Sequence, residues 1–244
     1  MSILIYAESA EGKFKKTAFE LASYAKKIAG ESGTTVTAIT INGPEASALG
    51  QYGVDKVLNV KSDKLTAFNA KAYADAIKQA AQKEDAKIVV FSSTTDSLYI
   101  APLVAVALEA GYASNVVALP ESMSPFRVKR NAFSNKAFNF TEINTDVKVI
   151  AIGKNSYGLT ESNGAAASEE FSPSLNDNDF SVKVESSEKV TGKVTIADAE
   201  VVVSGGRGLK GPENWNIIED LAAAFGAATA CSKPVSDLGW RPHS

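Results

Sequence analysis

Apolar and polar positions follow two periods along this chain, and the switching between them divides residues 1–153 into strands and helices. "SILIYAES" (2–9), "TTVTAITI" (34–41) and "DKVLNV" (55–60) are short apolar or β-branched runs bounded by polar residues, and each predicts a strand. Phe14, Ala18, Leu21, Ala22, Ala25 and Ile28 fall at helical spacing and predict a helix with one core-facing side. A second helix is predicted over 66–85, with Ala, Tyr and Ile on one face and Lys, Gln and Asp on the other. "KIVVFSS" (87–93) is almost wholly apolar, as expected of a strand covered on both faces. A helix capped by Asp96 and stopped by Gly111 follows. "NVVAL" (115–119) and "DVKVIAIG" (146–153) predict further strands, and the alternation in "RVKRNAFSNKAFNFTEI" (127–143) predicts antiparallel ones.

This strand–helix order implies an α/β fold, a parallel sheet with helices on both faces. Ligands in such folds sit at the carboxyl ends of strands. The loops "AESAEGK" (7–13) and "SSTTDS" (92–97) lie there and could line a pocket, although turn and capping chemistry alone explains their Ser, Thr and Asp. From 154 to 179 the chain is polar and turn-rich, longer than the ~12–15 residues of an ordinary loop, and reads as a linker or wrapping arm. "FSVKVESSE" (180–188) alternates and predicts an edge strand. A boundary near 190 divides a domain of residues 1–190, with its arm at 154–190, from a second of residues 191–244. There the α/β pattern resumes. "AEVVVSGG" (199–206) and "AATACS" (227–232) predict strands flanking a helix with Trp215, Ile218, Leu221, Ala222 and Phe225 on one face.

Composition narrows the function classes. Hydrophobic residues are 45% of the chain, enough for a packed core. A net charge of −3 shows no basic excess for nucleic acid, and no dense Lys/Arg run suggests a membrane surface. No apolar run approaches the ~20 residues of a membrane span, so no membrane insertion is expected. The first residues lead directly into a strand without a leader pattern, and a cytoplasmic location is expected. The single Cys231 and single His243 argue against a metal site and against a nucleophile–base pair, so no catalytic residues are expected. Cys231 reads as a buried, inert thiol, and Trp215 and Trp240 as core or cover.

The most informative chemistry is the G-x-G-x-x-G spacing of Gly206, Gly208 and Gly211 between a strand and a helix. Such a loop lets backbone approach a phosphate at a helix N-terminus. A dinucleotide fingerprint also expects an acid ~20 positions on, at the end of the next strand. Here that strand ends "ACSKP", and Asp237 lies past it. Arg207 and Lys210 make the loop cationic instead. A purely structural glycine turn stays open on pattern alone.

"VVVSGGRGLKGPENWNIIEDLAAAFGAATACSKPVSDLGW" (201–240) resembles the alpha subunit of electron-transfer flavoproteins at the start of its FAD-binding domain, through "SGGRG", the helix, the small-residue strand, "S-[basic]-P" and "D-x-GW" in order. "ILIYAE" (3–8) and "IAPLVAVAL" (100–108) fit the same family, with Leu103 where an arginine is usual, and "AFSNKA" loosely echoes its "YAGN"-like element. The resemblance implies a Rossmann-like N-terminal domain followed by the first part of a second α/β, FAD-binding domain. It implies FAD contacts from Arg207 and Ser232, from Gly206 and Gly208 of the loop, and from Lys233 where most members carry an arginine beside the flavin ring. A cation there would stabilise the negative charge a flavin gains on reduction. Lysine keeps that charge but not arginine's planar fork.

The resemblance further implies an electron carrier rather than a turnover enzyme. It would pair with a beta subunit and relay electrons from acyl-CoA or other flavoprotein dehydrogenases, as in fatty acid β-oxidation, to a quinone reductase or other acceptor. The family continues with "GQTG"-like and "GISGA-QH"-like segments absent from these 244 residues. The chain is therefore expected to be C-terminally truncated and to hold FAD weakly or not at all alone. Two rivals stand beside this reading: an NAD-dependent oxidoreductase subunit and a cofactor-free assembly subunit.

Overall fold

A computed structural model of the chain describes residues 2–182, 184–186, 196, 199 and 201–242. They fall into two compact units, 1–184 and 185–244. The position near 190 where the sequence places a boundary lies outside the described residues.

The first unit opens with β1 (Ser2–Tyr6), the short pair β2 (Ser9–Ala10) and β3 (Lys13–Phe14), and α1 (Lys16–Ser32). β4 (Thr35–Ile41), α2 (Ser47–Gly50), β5 (Lys56–Val60), α3 (Ala70–Lys83), β6 (Ala86–Ser92) and α4 (Thr95–Ala107) follow in alternation. β7 (Gly111–Val116), β8 (Ser122–Met123), β9 (Phe126–Ala132), β10 (Ala137–Ile143), β11 (Lys148–Ile152) and β12 (Ala167–Glu170) complete it. The sheet order is β10-β9-β7-β11-β6-β1-β4-β5-β12, with β8 beside β9. From β7 to β12 every pairing is parallel, whereas β9 runs antiparallel to β7, β8 and β10. The expected α/β class, with a mostly parallel sheet, is what forms.

The core follows from the two-residue period of a strand. Ile3 and Ile5 of β1 pack with Leu21, Ala25 and Ile28 of α1, while Leu4 and Tyr6 pack with Ile77 of α3 and Ile100 of α4 on the other side. Both faces are covered, which is why β1 and β6 read as continuous apolar runs. Each fully buried Leu or Ile contributes about 1.5–3 kcal/mol.

Several element ends differ from the sequence reading, each for a local reason. The helix expected over 66–85 begins only at Ala70, because the Asn69 side chain caps it, accepting from the amides of Lys71 and Ala72. Thr94, not Asp96, caps α4, accepting from the Ser97 amide at 3.2 Å. Asp96 sits in the first turn, where its charge favours the helix dipole. Gly111 does not stop α4 but opens β7, which covers 111–116 rather than 115–119. A Cβ at Gly111 would lie 2.5 Å from Ile143 Cγ2, so close approach explains this glycine.

Residues 154–182 wrap along the first unit. Buried Glu20 on α1 accepts from the amides of Asn155 and Tyr157 at 2.9 Å and Gly158 at 3.1 Å. Gly50 and Gly164 let the arm pass: a Cβ on Gly50 would lie 2.3 Å from the Ala166 amide, and one on Gly164 would lie 2.8 Å from the Gly50 carbonyl. The arm then adds β12 to the sheet edge beside β5, and Glu169 pairs there with Lys83 and Lys56. The expected edge strand at 180–188 is not where the edge strand forms. Phe180 closes a 3₁₀ turn (Asp177–Phe180) and packs on the core, and residues 183, 187 and 188 lie outside the described residues.

The second unit holds β13 (Val202–Gly205), α5 (Asn216–Phe225), β14 (Ala228–Cys231) and α6 (Lys233–Asp237). β13 and β14 pair in parallel, from Val202 opposite Ala228 to Gly205 opposite Cys231. Trp215, Ile218 and Val235 form its core, with Val203, Leu209, Cys231 and Trp240 partly buried around them. Leu221 and Phe225, expected on the buried face of α5, are 47% and 65% exposed. The core of two strands and a short helix reaches Ile218 and Ala222 and no further round that face. Cys231, expected to be buried, is half-buried because β14 ends there.

Candidate functional site

The parallel pairing of β13 and β14 brings both carboxyl ends to one edge of the second unit. The Ser232 amide donates to the Gly205 carbonyl at 2.9 Å, and this bond sets the exit of both strands side by side. Gly206, Arg207 and Gly208 leave from one strand, Ser232 and Lys233 from the other. The five residues singled out in the sequence therefore share one edge, the place where ligands of open α/β sheets bind.

The loop is built from two short turns. After Gly206 (φ −121°) comes the 3₁₀ turn Arg207–Leu209, ended by Lys210 in the left-handed region at φ 66°. A second 3₁₀ turn, Pro212–Asn214, leads into α5, and Asn214 Nδ2 donates to the Leu209 carbonyl at 2.8 Å, tying the turns together. The left-handed position is thus filled by a lysine rather than by a glycine of the spacing. The glycine needed for packing also lies outside the spacing. A Cβ at Gly205 would sit 2.7 Å from the Trp215 ring.

Gly206 and Gly208 have no such internal reason. Among the described residues, a Cβ at Gly208 would meet nothing within 4 Å, and one at Gly206 only Ser232 Oγ at 4.0 Å. Neither has a positive φ. Their missing side chains leave open space above the backbone, the shape a phosphate needs in order to approach it.

The charges around that space are of one sign. Arg207, Lys210 and Lys233 are exposed. Arg207 and Lys210 make no ion pair among the described residues, and the Ser232 hydroxyl makes no hydrogen bond among them. Lys233 Nζ lies 3.5 Å from Asp237, with both side chains exposed. A pair of this kind stabilises by ~1 kcal/mol at most, so the ammonium is readily released to another anion. A guanidinium, ammonium groups, a hydroxyl and accessible backbone form a donor-rich set that fits a diphosphate and, at Lys233, an electron-rich ring. These residues fit the pyrophosphate of FAD.

The surrounding residues are structural. Trp215 is buried beneath the Arg241 guanidinium, 5.0 Å from its ring, and Arg241 pairs with Glu219 at 2.6 Å. Trp240 packs on the same core. Asp237 belongs to α6 and faces Lys233, not the end of β14. His243 lies outside the described residues, so its pairing with Cys231 has no geometry to report. Among the described residues no group of three or more His, Cys, Asp or Glu is placed to hold a metal, and no helix is long and apolar enough to cross a membrane.

In the first unit, the two loops at the strand ends are knitted to each other. Glu8, buried after β1, accepts from the hydroxyls of Thr94 and Ser97 through Oε1 and from Lys15 Nζ through Oε2 at 2.9 Å. Thr94 and Ser97 are thus engaged in capping and closure. The sequence reading did not single out Glu8. Its signal was a lone carboxylate just past the first strand.

Residues 3–175 match the family model described as "Electron transfer flavoprotein domain", and residues 195–244 match "Electron transfer flavoprotein FAD-binding domain". The electron transfer flavoprotein subunit alpha of Syntrophomonas wolfei is 30% identical over 244 residues, covering 98% of this chain and 75% of that relative. That of Thermoanaerobacterium thermosaccharolyticum is 26% identical, covering 98% of this chain and 74% of the relative. The "Acryloyl-CoA reductase electron transfer subunit beta" of Anaerotignum propionicum is 27% identical, covering 98% and 75%.

Proposed function

Because the chain belongs to the electron transfer flavoprotein family, among its alpha subunits, we propose that its β13–β14 edge contributes contacts to FAD, which these residues alone hold weakly or not at all, and that it serves as an electron carrier rather than a turnover enzyme. The observation that carries this reading is the open backbone at Gly206 and Gly208 beside three exposed cations. Gly206 and Gly208 admit the pyrophosphate to the backbone, Arg207 neutralises it, and the Ser232 hydroxyl donates to it. Lys233 leaves Asp237 to stand beside the flavin ring. FAD, when bound, supplies the redox chemistry. The chain binds and orients it and sets a positive field that favours its reduced form.

The working protein is a heterodimer with a beta subunit in the cytoplasm, built from a domain of residues 1–190 and a flavin-binding segment of residues 191–244. The name of the Anaerotignum relative supports a CoA-thioester oxidoreductase as electron partner, in keeping with acyl-CoA dehydrogenases as donors and fatty acid β-oxidation as the setting. The absence of an acid at the end of β14 disfavours NAD.

The test is a titration of the purified chain, alone and with its beta subunit, with FAD and with NAD, read by flavin fluorescence and by calorimetry. FAD binding that is weakened by Arg207→Ala supports the site. Binding of NAD but not FAD would replace it with a dehydrogenase reading. Binding of neither, with the beta subunit present, would leave an assembly role.

A further inference from the structure

The sheet of the first unit ends in an edge that no other described residue of that unit covers. β10 is the terminal strand, bonded among the described residues only to β9. The register puts Phe138 opposite Asn131, Phe140 opposite Lys129 and Glu142 opposite Arg127, all on one face of the hairpin. The opposite face sends Phe126, Val128 and Ile143 into the core. Apart from the Glu121 carboxylate beside Arg127, no ion pair from the rest of the first unit's described residues reaches the outer face, where Phe138 and Phe140 are 59% and 44% exposed, and Phe133 at the hairpin tip is 77% exposed.

Cations cover these rings. Lys129 Nζ stands 4.1 Å over Phe138, the Arg127 guanidinium 5.0 Å over Phe140, and Lys136 Nζ 5.6 Å over Phe133. Residues 126–140 hold four cations and no carboxylate, in a chain whose net charge is −3. Arg127 shares its charge with exposed Glu121 at 3.4 Å, whereas Lys129 and Lys136 make no ion pair among the described residues. Sheets normally guard a bare edge with charge, proline, a bulge or brevity. β10 has seven residues, no proline and one charge, Glu142.

We propose that this hairpin is where the chain takes its partner subunit: a protein that adds a strand to the β10 edge, covers Phe138 and Phe140, and lays carboxylates against Lys129 and Arg127. The inference rests on the reading above that the chain pairs with a beta subunit. The charge argument fixes the partner's sign, because a cationic surface would be repelled by groups already stacked on the rings. The bare row of backbone N–H and C=O groups fixes its chemistry, because another strand satisfies both donors and acceptors in register.

The test mixes the full chain with its beta subunit and follows complex formation by light scattering after size exclusion and by calorimetry, at low and high salt. Two variants are compared with wild type: Phe138→Ser with Phe140→Ser, and Lys129→Glu with Lys136→Glu. All four side chains point outward, so thermal melting of the chain alone stays unchanged. Lys27→Glu on the exposed side of α1 makes a charge change of the same kind elsewhere. A salt-sensitive one-to-one complex, weakened about tenfold or more by each hairpin variant and not by Lys27→Glu, supports the proposal. Hairpin variants that bind like wild type, or a Lys27→Glu loss of equal size, overturn it and leave the pairing reading standing. A wild-type chain that binds no beta subunit overturns the pairing reading and this inference with it. Self-association lost in the hairpin variants, or co-sedimentation with phosphatidylserine vesicles lost in them, would assign the edge to a second copy or to a membrane and overturn the proposal.

Discussion

Replacing Glu20 by alanine tests whether one buried carboxylate pins the start of the 154–182 arm. Its two oxygens accept three backbone N–H groups, from Asn155, Tyr157 and Gly158, at 2.9 to 3.1 Å. Hydrogen bonds to a charged acceptor contribute about 1.5–3 kcal/mol each, and a donor left buried without one costs about 1–3 kcal/mol. Asn155 and Gly158 are exposed, so water replaces much of what their amides lose, while Tyr157 is half-buried and its ring meets Tyr24 edge-on at 5.5 Å. Counting one bond in full and two at a fraction gives a loss of about 3 kcal/mol. At ~2–4 °C per kcal/mol for a unit of this size, Tm falls by about 6–12 °C. Urea unfolding followed by circular dichroism measures the loss directly. Glu20→Gln keeps one acceptor oxygen and should retain about half of it. A Glu20→Ala chain within about 1 kcal/mol of wild type would refute the reasoning, as would a glutamine variant no better than alanine.

Arg207→Ala is expected to weaken FAD binding by about tenfold or more, the loss of a charge-assisted contact, measured by fluorescence titration. Lys233→Glu places a negative charge beside the reduced ring and should lower the flavin midpoint potential, measured in a redox titration, while Lys233→Arg should restore the wild-type value or exceed it. Gly50→Ala drives a Cβ into the backbone at Ala165 and Ala166, so the arm should lift and be cut sooner in limited proteolysis mapped by mass spectrometry. Burial, with the Asp96 charge, pushes the Tyr73 phenol up to about 12, and burial raises Tyr24 and Tyr6 as well. In the unfolded chain phenols ionise near ~10, so stability is full below that pH and is lost as pH rises through the folded values; Tyr73→Phe should flatten the decline in urea midpoints above pH ~10.

Much of the first unit could be read from β1, β4, β5, β6 and β11, whose apolar runs are buried by helices on both faces. The cap of α4 was harder, because Thr94 and Asp96 are both cap-forming residues within one turn and only the bond to the Ser97 amide decides between them. β12 had no signal at all. "ASEE" is polar and mostly exposed, and it is a strand because Gly50 and Gly164 admit the arm and Glu169 finds Lys83 and Lys56. Glu20 was equally silent, its amide partners lying 135 to 138 residues further on. At the candidate site, the spacing showed the glycine loop between a strand and a helix, whereas Ser232 and Lys233 were singled out only by the resemblance; the parallel pairing of β13 and β14 is what brings them to the edge of Gly206, Arg207 and Gly208. The packing role of Gly205 was not visible, because it depends on the Trp215 ring folding back over β13.

The contact between Lys233 and Asp237 makes the two proposed flavin cations unequal in kind. Arg207 meets an incoming anion as a new partner, so its attraction adds to affinity in full and fades with salt. Lys233 would exchange Asp237 for a ring that becomes anionic only on reduction, so its effect is the difference between two pairings and is felt in the reduced form more than in the affinity for oxidised FAD. On the proposed reading, Asp237 would be a resident stand-in for the ligand, holding the ammonium at the mouth of the site until the flavin takes its place.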